Sequence, residues 1–314
     1  MKILIIGIGS IGERHLKNLL KLGYKNIVLS DFSNERLDKL KSEYHLPVYA
    51  DWRLALKEFR PDATFICTSA ETHVSLAKAA IQNGSHVFIE KPLSVNLSGI
   101  DGLIRLAKRK KKLVMVACNY LFHRGFRKLQ KILIQKKYGR PLFCRVAISY
   151  HLPSARKNRN YRNLYAAKKN QGGGVILDSG SHAVNYLSAL FGPIMKSSAT
   201  ASRSNFLGIQ SEEAAVLALE HIGGILSIVS LDYLSKKPIH RLEAVTDRGL
   251  LILDFKNDSL VFEDDKNKKV IYQGNGDANR MFIDELKHFF HCLQKKKNPM
   301  QDLKEAKETL KFLV

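Results

Sequence analysis

Short apolar runs taking turns with amphipathic stretches predict an α/β chain. A parallel, doubly wound sheet comes first, and an α/β domain with an open, mostly antiparallel sheet follows. Three observations carry this prediction. The 314 residues exceed one small core and suit two domains. Up to about residue 120, strand-like and helix-like segments alternate. Beyond it, strands dominate. The division is placed at 1–120 and 121–314, with the last helices given the option of packing back on the first domain.

The elements follow in order. Residues 2–6 form an apolar run typical of a strand buried on both faces. A helix is expected over Ile11 to Leu22, stopped by Gly23. A strand (Ile27 to Ser30) and a helix (Asn34 to Tyr44) come next. Strands at Thr64 to Cys67, Val87 to Glu90 and Leu113 to Ala117 alternate with helices at Val74 to Gln82 and Leu97 to Arg109. A helix over Phe126 to Gln135 ends before Gly139-Arg140-Pro141. Strands are then expected at Phe143 to Tyr150, Ala214 to Glu220, Gly224 to Tyr233, Arg241 to Thr246, Gly249 to Phe255 and Ser259 to Glu263. The main helix of this half runs from Gly172 to Leu190, and helices at Met281 to Lys295 and Asp302 to Leu313 close the chain.

The composition, 45% hydrophobic and 25% charged, is that of an ordinary soluble globular protein. The run Ile3 to Ile8 is too short for a signal peptide's apolar region, and no stretch approaches a membrane span. Cys67, Cys118, Cys144 and Cys292 show no metal-like or redox-like spacing. They are read as reduced thiols, so the expected location is the cytoplasm and no metal is expected. The formal net charge is +22, from 51 Lys+Arg against 29 Asp+Glu. It is consistent with solvated lysines, or with an anionic small-molecule substrate. No nucleic-acid-binding module accompanies it.

Gly7-Ile8-Gly9-Ser10-Ile11-Gly12 directly follows the first strand and opens the first helix. Gly7 permits the tight turn, Gly9 lets backbone approach a pyrophosphate, and Gly12 lets helix and strand pack closely. Ser10 and Ile11 present the helix N-terminus to phosphate. Asp31 ends the second strand, where an acidic residue is expected to accept from the adenosine ribose. A carboxylate there repels a 2′-phosphate, so NAD is expected. NADP stays open because Arg36 is close in sequence.

Glu90-Lys91-Pro92 follows a buried strand, and ligands of such sheets sit beyond the strands' carboxyl ends. Lys91 can there donate to a substrate oxygen, although a lysine at a strand end is otherwise a solvated charge. Pro92 restrains that turn. Asp178 and His182 follow Gly172-Gly173-Gly174 and stand one helical turn apart. His182 is a candidate general base and Asp178 a candidate orienting group. Read alone, the two would be a surface Asp–His pair. Residues 151–171 are basic and bear tyrosines (His151, Arg156, Arg159, Tyr161, Arg162, Tyr165, Lys168). A connection of that length is often functional. Tyr161, Arg162 and Lys168 are candidate substrate contacts.

Together these residues resemble the glucose–fructose oxidoreductase, inositol dehydrogenase and rhizopine-catabolism (Gfo/Idh/MocA) family over nearly the whole chain. The resemblance rests on the glycine motif, Thr68 with His73, Gly84-Ser85-His86-Val87 leading into Glu90-Lys91-Pro92, Gly139-Arg140-Pro141, and Gly172 through His182. It implies a Rossmann domain followed by a substrate and oligomerisation domain, in a homodimer or homotetramer. It also implies catalytic roles for Lys91, Asp178 and His182. Thr68, His73, Glu90, Lys91 and Asn119 join the glycine motif and Asp31 as expected cofactor contacts. Two departures stand out: Ser69 follows Thr68 where the family often has proline, and Leu121-Phe122-His123-Arg124 replaces the family's Arg-Phe-x-Pro. The expected activity is oxidation of a secondary hydroxyl of a sugar, sugar acid or nucleotide sugar. The alternatives are a redox-neutral enzyme with tightly held NAD and a non-catalytic NAD-sensing or nucleic-acid-binding protein.

Overall fold

A computed structural model describes residues 1–155, 160–202 and 204–314. They form two compact units: Met1–Ala117 with Phe282–Phe312 and Val314, and Cys118–Met281 with Leu313.

The first unit holds a six-stranded sheet: β1 (Ile3–Ile6), β2 (Ile27–Ser30), β3 (Val48–Tyr49), β4 (Ala63–Ile66), β5 (His86–Ile89) and β6 (Val114–Val116), in the order β3-β2-β1-β4-β5-β6. Every pairing is parallel. β1, β2 and β4 are buried at every position, which explains why their sequences run apolar without alternation. Two elements not read from the sequence complete the sheet's surroundings: the two-residue β3 and the helix Trp52–Phe59, capped by Asp51. The helix Arg280–Lys295 supplies Phe289 and Phe290 to this core. Phe65 stacks on Phe88 at 4.9 Å, Phe289 stands edge-on to both, and Tyr24 stacks on Phe290 at 4.2 Å.

The second unit is built on eight strands: β7 (Pro141–Ser149), β8 (Ile194–Ser202), β9 (Ala214–His221), β10 (Leu226–Asp232), β11 (Ile239–Thr246), β12 (Gly249–Asp254), β13 (Ser259–Glu263) and β14 (Lys268–Gln273). Their order is β14-β13-β12-β11-β7-β10-β9-β8. Only the β7–β10 pair is parallel. Burial alternates along β9 and β10, so one face is covered and the other open. The edge strands β8 and β14 escaped the sequence reading because their residues are exposed and carry no apolar alternation. Pairing to β9 and β13, not burial, makes them strands.

The helix expected over Gly172 to Leu190 begins only at Val175, and its first turn is π. A π turn, Ile176–Gly180, precedes an α-helix over Ser181–Phe191. Gly174, at φ +102°, lies outside helical conformation, and the Glu212 carboxylate takes the N–H of Ile176 at 3.1 Å.

His240 on β11 packs against Phe255 at 4.3 Å between ring centres and against Tyr120 at 4.5 Å. Burial, reinforced by His123, pushes its pKa from an ordinary 6.5 down to about 3. Above pH 6.5 neither the folded nor the unfolded residue is charged. As pH falls from 6.5 toward 3, the unfolded chain takes a proton that the folded chain refuses, and stability drops. His240 is expected to remove a few kcal/mol over that window. Urea unfolding across the window should show a shallower loss in His240→Gln than in wild type; parallel curves would contradict this.

Candidate active site

The turn after β1 is built as the glycine pattern predicts. Gly7 adopts φ +87°, and its N–H donates to Ser30 O at 2.8 Å. A Cβ on Gly12 would run into the Gly7 carbonyl, so helix and turn can touch only through glycine. A Cβ on Gly9 would meet nothing within 4 Å. Gly9 is also the N-cap of the helix Ser10–Lys21, and no side chain caps that end. Open backbone at a helix N-terminus suits a pyrophosphate, so the residues fit a dinucleotide.

Asp31 follows β2, and its side chain is 1% exposed. Its Oδ2 accepts from Ile8 N at 2.7 Å and its Oδ1 from Ser33 N at 3.0 Å, which ties the glycine turn to the carboxylate. Arg36 donates to both oxygens, at 3.0 and 2.9 Å. An arginine thus covers the one group that would repel a 2′-phosphate.

Lys91 follows the carboxyl end of β5, on the same sheet edge as the glycine turn after parallel β1. The Lys91–Pro92 peptide is cis. Glu90 turns inward: Oε1 meets His15 Nε2 at 2.5 Å, and Oε2 accepts from Lys91 N at 3.2 Å. Burial opposes its charge. The His15 bond and the Lys91 charge outweigh burial and hold the carboxyl below its ordinary range. His15 is fully buried, and the sequence reading passed over it; the signal was a histidine on the inner face of the first helix. His73 bridges Pro92 O at 2.9 Å and Thr68 O at 3.1 Å, and burial lowers its pKa. The Thr68 hydroxyl pairs with that of Thr72 at 2.6 Å.

The second unit carries the other candidates. Asp178 is buried in the π turn. Three phenols donate to it: Tyr150 at 2.8 Å and Tyr233 at 3.1 Å to Oδ2, and Tyr165 at 2.5 Å to Oδ1. His182, half-buried in the following helix, stands edge-on to Tyr120 at 4.8 Å. Sequence reasoning missed Tyr120, Tyr150 and Tyr233. For Tyr150 and Tyr233 the available signal was a tyrosine at the end of a strand with one covered face, where its hydroxyl needs a partner. The Asn119 amide meets Met281 Sδ at 3.4 Å.

Successive 3₁₀ turns, Tyr161–Asn163, Tyr165–Ala167 and Lys169–Gln171, order the basic segment. Tyr161 donates to Leu207 O at 2.9 Å, and Arg162 lies over the Tyr161 ring at 4.8 Å. Lys168 gives its carbonyl to Gly173 N at 3.0 Å. A Cβ on Gly173 would strike the carbonyls of Tyr165 and Ala166, so the glycine run lets this segment seat against the helix start. Arg156 and Arg159 lie outside the described residues. Among the described residues, no group of three His, Cys, Asp or Glu side chains could hold a metal ion, and no helix is long and apolar enough to cross a membrane. The four cysteines are buried and form no disulfide.

The Arg36–Asp31 pair yields a cofactor test. Removing Arg36 bares Asp31 and should weaken NADPH binding about tenfold relative to NADH. Fluorescence titration of Arg36→Ala with both nucleotides measures the ratio; an unchanged ratio would dismiss Arg36 as a determinant.

Two family models match the chain: the oxidoreductase family with NAD-binding Rossmann fold over residues 1–118, and the GFO/IDH/MocA C-terminal domain over 126–252. A myo-inositol 2-dehydrogenase of Thermotoga maritima is 32% identical over 148 residues, 46% of this chain and 44% of the relative. A D-apiose dehydrogenase of Paraburkholderia graminis is 25% identical over 237 residues, 74% of this chain and 60% of the relative. The matches therefore span about half the length of these curated relatives. Among solved structures, a UDP-N-acetylglucosamine 3-dehydrogenase from Acidithiobacillus ferrooxidans superposes with a TM-score of 0.81 at 18% identity, covering 99% of this chain and 94% of that one. The fold is shared throughout, and the first unit is an NAD-binding Rossmann domain. The chain belongs to the Gfo/Idh/MocA oxidoreductase family.

Proposed function

We propose that the protein is an NAD-dependent dehydrogenase that oxidises a secondary hydroxyl of a sugar, sugar acid or nucleotide sugar. The observation that carries the reading is Lys91 at the carboxyl edge of the sheet whose neighbouring turn is shaped for a dinucleotide. Relatives that oxidise myo-inositol, D-apiose and UDP-N-acetylglucosamine supply the substrate class.

NAD, when bound by the glycine turn and Asp31, supplies the hydride acceptor. The chain's own residues manage the proton and the charge. His182 takes the hydroxyl proton on an imidazole nitrogen. The Lys91 ammonium donates to a substrate oxygen and stabilises alkoxide character as it develops. Asp178, held by three phenols, orients the reacting hydroxyl. Arg162 and Lys168, together with the +22 net charge, favour an anionic substrate. A homodimer or homotetramer belongs to the same proposal, supported by Val216, Leu226 and Ile228 exposed on the open sheet. So does a cytoplasmic location, supported by four buried cysteines that form no disulfide.

The test is NADH formation at 340 nm across myo-inositol, D-apiose, UDP-N-acetylglucosamine and the corresponding sugar acids. At least one compound should be oxidised, and Lys91→Ala should lower its turnover at least ~100-fold. Near-normal turnover in that variant refutes the role of Lys91. No turnover of any compound by wild type refutes the reading.

A further inference from the structure

We infer that Tyr150, Tyr165 and Tyr233 are positioning residues that act on the reaction through Asp178, a role that rests on the dehydrogenase reading above. A carboxylate offers about four lone-pair sites. Three are filled by phenol O–H groups, two on Oδ2 and one on Oδ1. Donors to a charged acceptor are the strong class of hydrogen bond, and each favours the ionised form. Asp178 is thereby kept anionic and fixed in direction. It is a poor proton acceptor and a good orienting group, which leaves the base role to His182.

The donors come from three parts of the chain. Tyr150 directly follows β7 and Tyr233 directly follows β10. Those strands are parallel neighbours, with Ser149 opposite Asp232, so the two rings stand side by side at 5.1 Å. Tyr150 N also donates to Asp232 O at 3.1 Å. The placement of this pair is thus set by the register of the sheet. Burial, reinforced by the Asp178 charge, drives both phenols well above their ordinary pKa, so both stay protonated and remain donors.

Tyr165 is different. It sits in the 3₁₀ turn Tyr165–Ala167 and is 38% exposed. The turn is held against the helix start by Gly174 N donating to Ala166 O at 3.0 Å and by the close approach of Gly173. The basic segment is therefore coupled to the direction of the Asp178 carboxylate through one phenol. A purely structural tyrosine would be expected to matter for folding and not for turnover.

The experiment uses the full-length holoenzyme with the compound that wild type oxidises. Tyr165→Phe removes one oxygen at a half-exposed site. It should lower kcat about tenfold or more, the worth of a hydrogen bond to a charged group. KM and the NADH dissociation constant should change little. In an Asp178→Asn background the same substitution should have no further effect on kcat, because both changes act through one group. If Asp178→Asn does not fold, Tyr150→Phe combined with Tyr165→Phe replaces it, and the two kcat losses should again fall short of their product. An unchanged kcat in Tyr165→Phe, losses that multiply independently, or a loss in Tm alone would overturn the inference while leaving the dehydrogenase reading intact. Absence of turnover by wild type would overturn that reading first, and this inference with it.

Discussion

Burying a carboxylate is costly unless donors meet it. Three of this chain's motifs each bury one, and each is met. Asp31 receives Ile8 N, Ser33 N and the Arg36 guanidinium. Glu90 receives His15 and the Lys91 backbone. Asp178 receives three phenols. At each carboxylate at least one donor comes from a distant segment, Ile8 for Asp31, His15 for Glu90 and the phenols for Asp178, so each ties down pieces of chain that the backbone alone would leave loose. The glycine turn is fastened to β2 by Asp31, and the residue bearing the Lys91 ammonium is fastened to the first helix by Glu90 and His15.

This constraint also explains the glycines. Positions where helix, turn and neighbouring segment must touch have no space for a side chain, as at Gly12 and Gly173. Gly9 has space, and leaving it bare suits a ligand and not packing. The contrast separates structural from binding glycines within one short motif. A similar division holds for the histidines. His15 and His73 are consumed in holding the Rossmann unit together, and His240 is walled in by aromatic rings. His182, the proposed base, keeps partial exposure.

Apart from the two-residue β3 and the helix Trp52–Phe59, the parallel half of the fold was legible in sequence because its strands are buried and its helices are bounded by caps and glycines. β8 and β14 were not, since an exposed edge strand such as Lys268–Gln273 owes its form to a neighbour and carries no apolar signal of its own. The π turn was hidden for a related reason: the start of this helix is met by the carboxylate of Glu212, which accepts from Ile176 N and is distant in sequence. The residues proposed for chemistry announce themselves through motifs at Lys91, Asp178 and His182. Their supports do not. Nothing local in sequence says that Tyr150, Tyr165 and Tyr233 converge, because the convergence depends on the register of β7 with β10 and on how the basic segment seats on Gly173.

The proposal that these supports serve hydride transfer from a carbinol carbon is tested most directly by isotope tracing. An oxidisable compound carrying deuterium on that carbon is incubated with NAD, and the NADH formed is examined by mass spectrometry. Direct transfer predicts one deuteron in every NADH. Unlabelled NADH, or label lost to water, would contradict it.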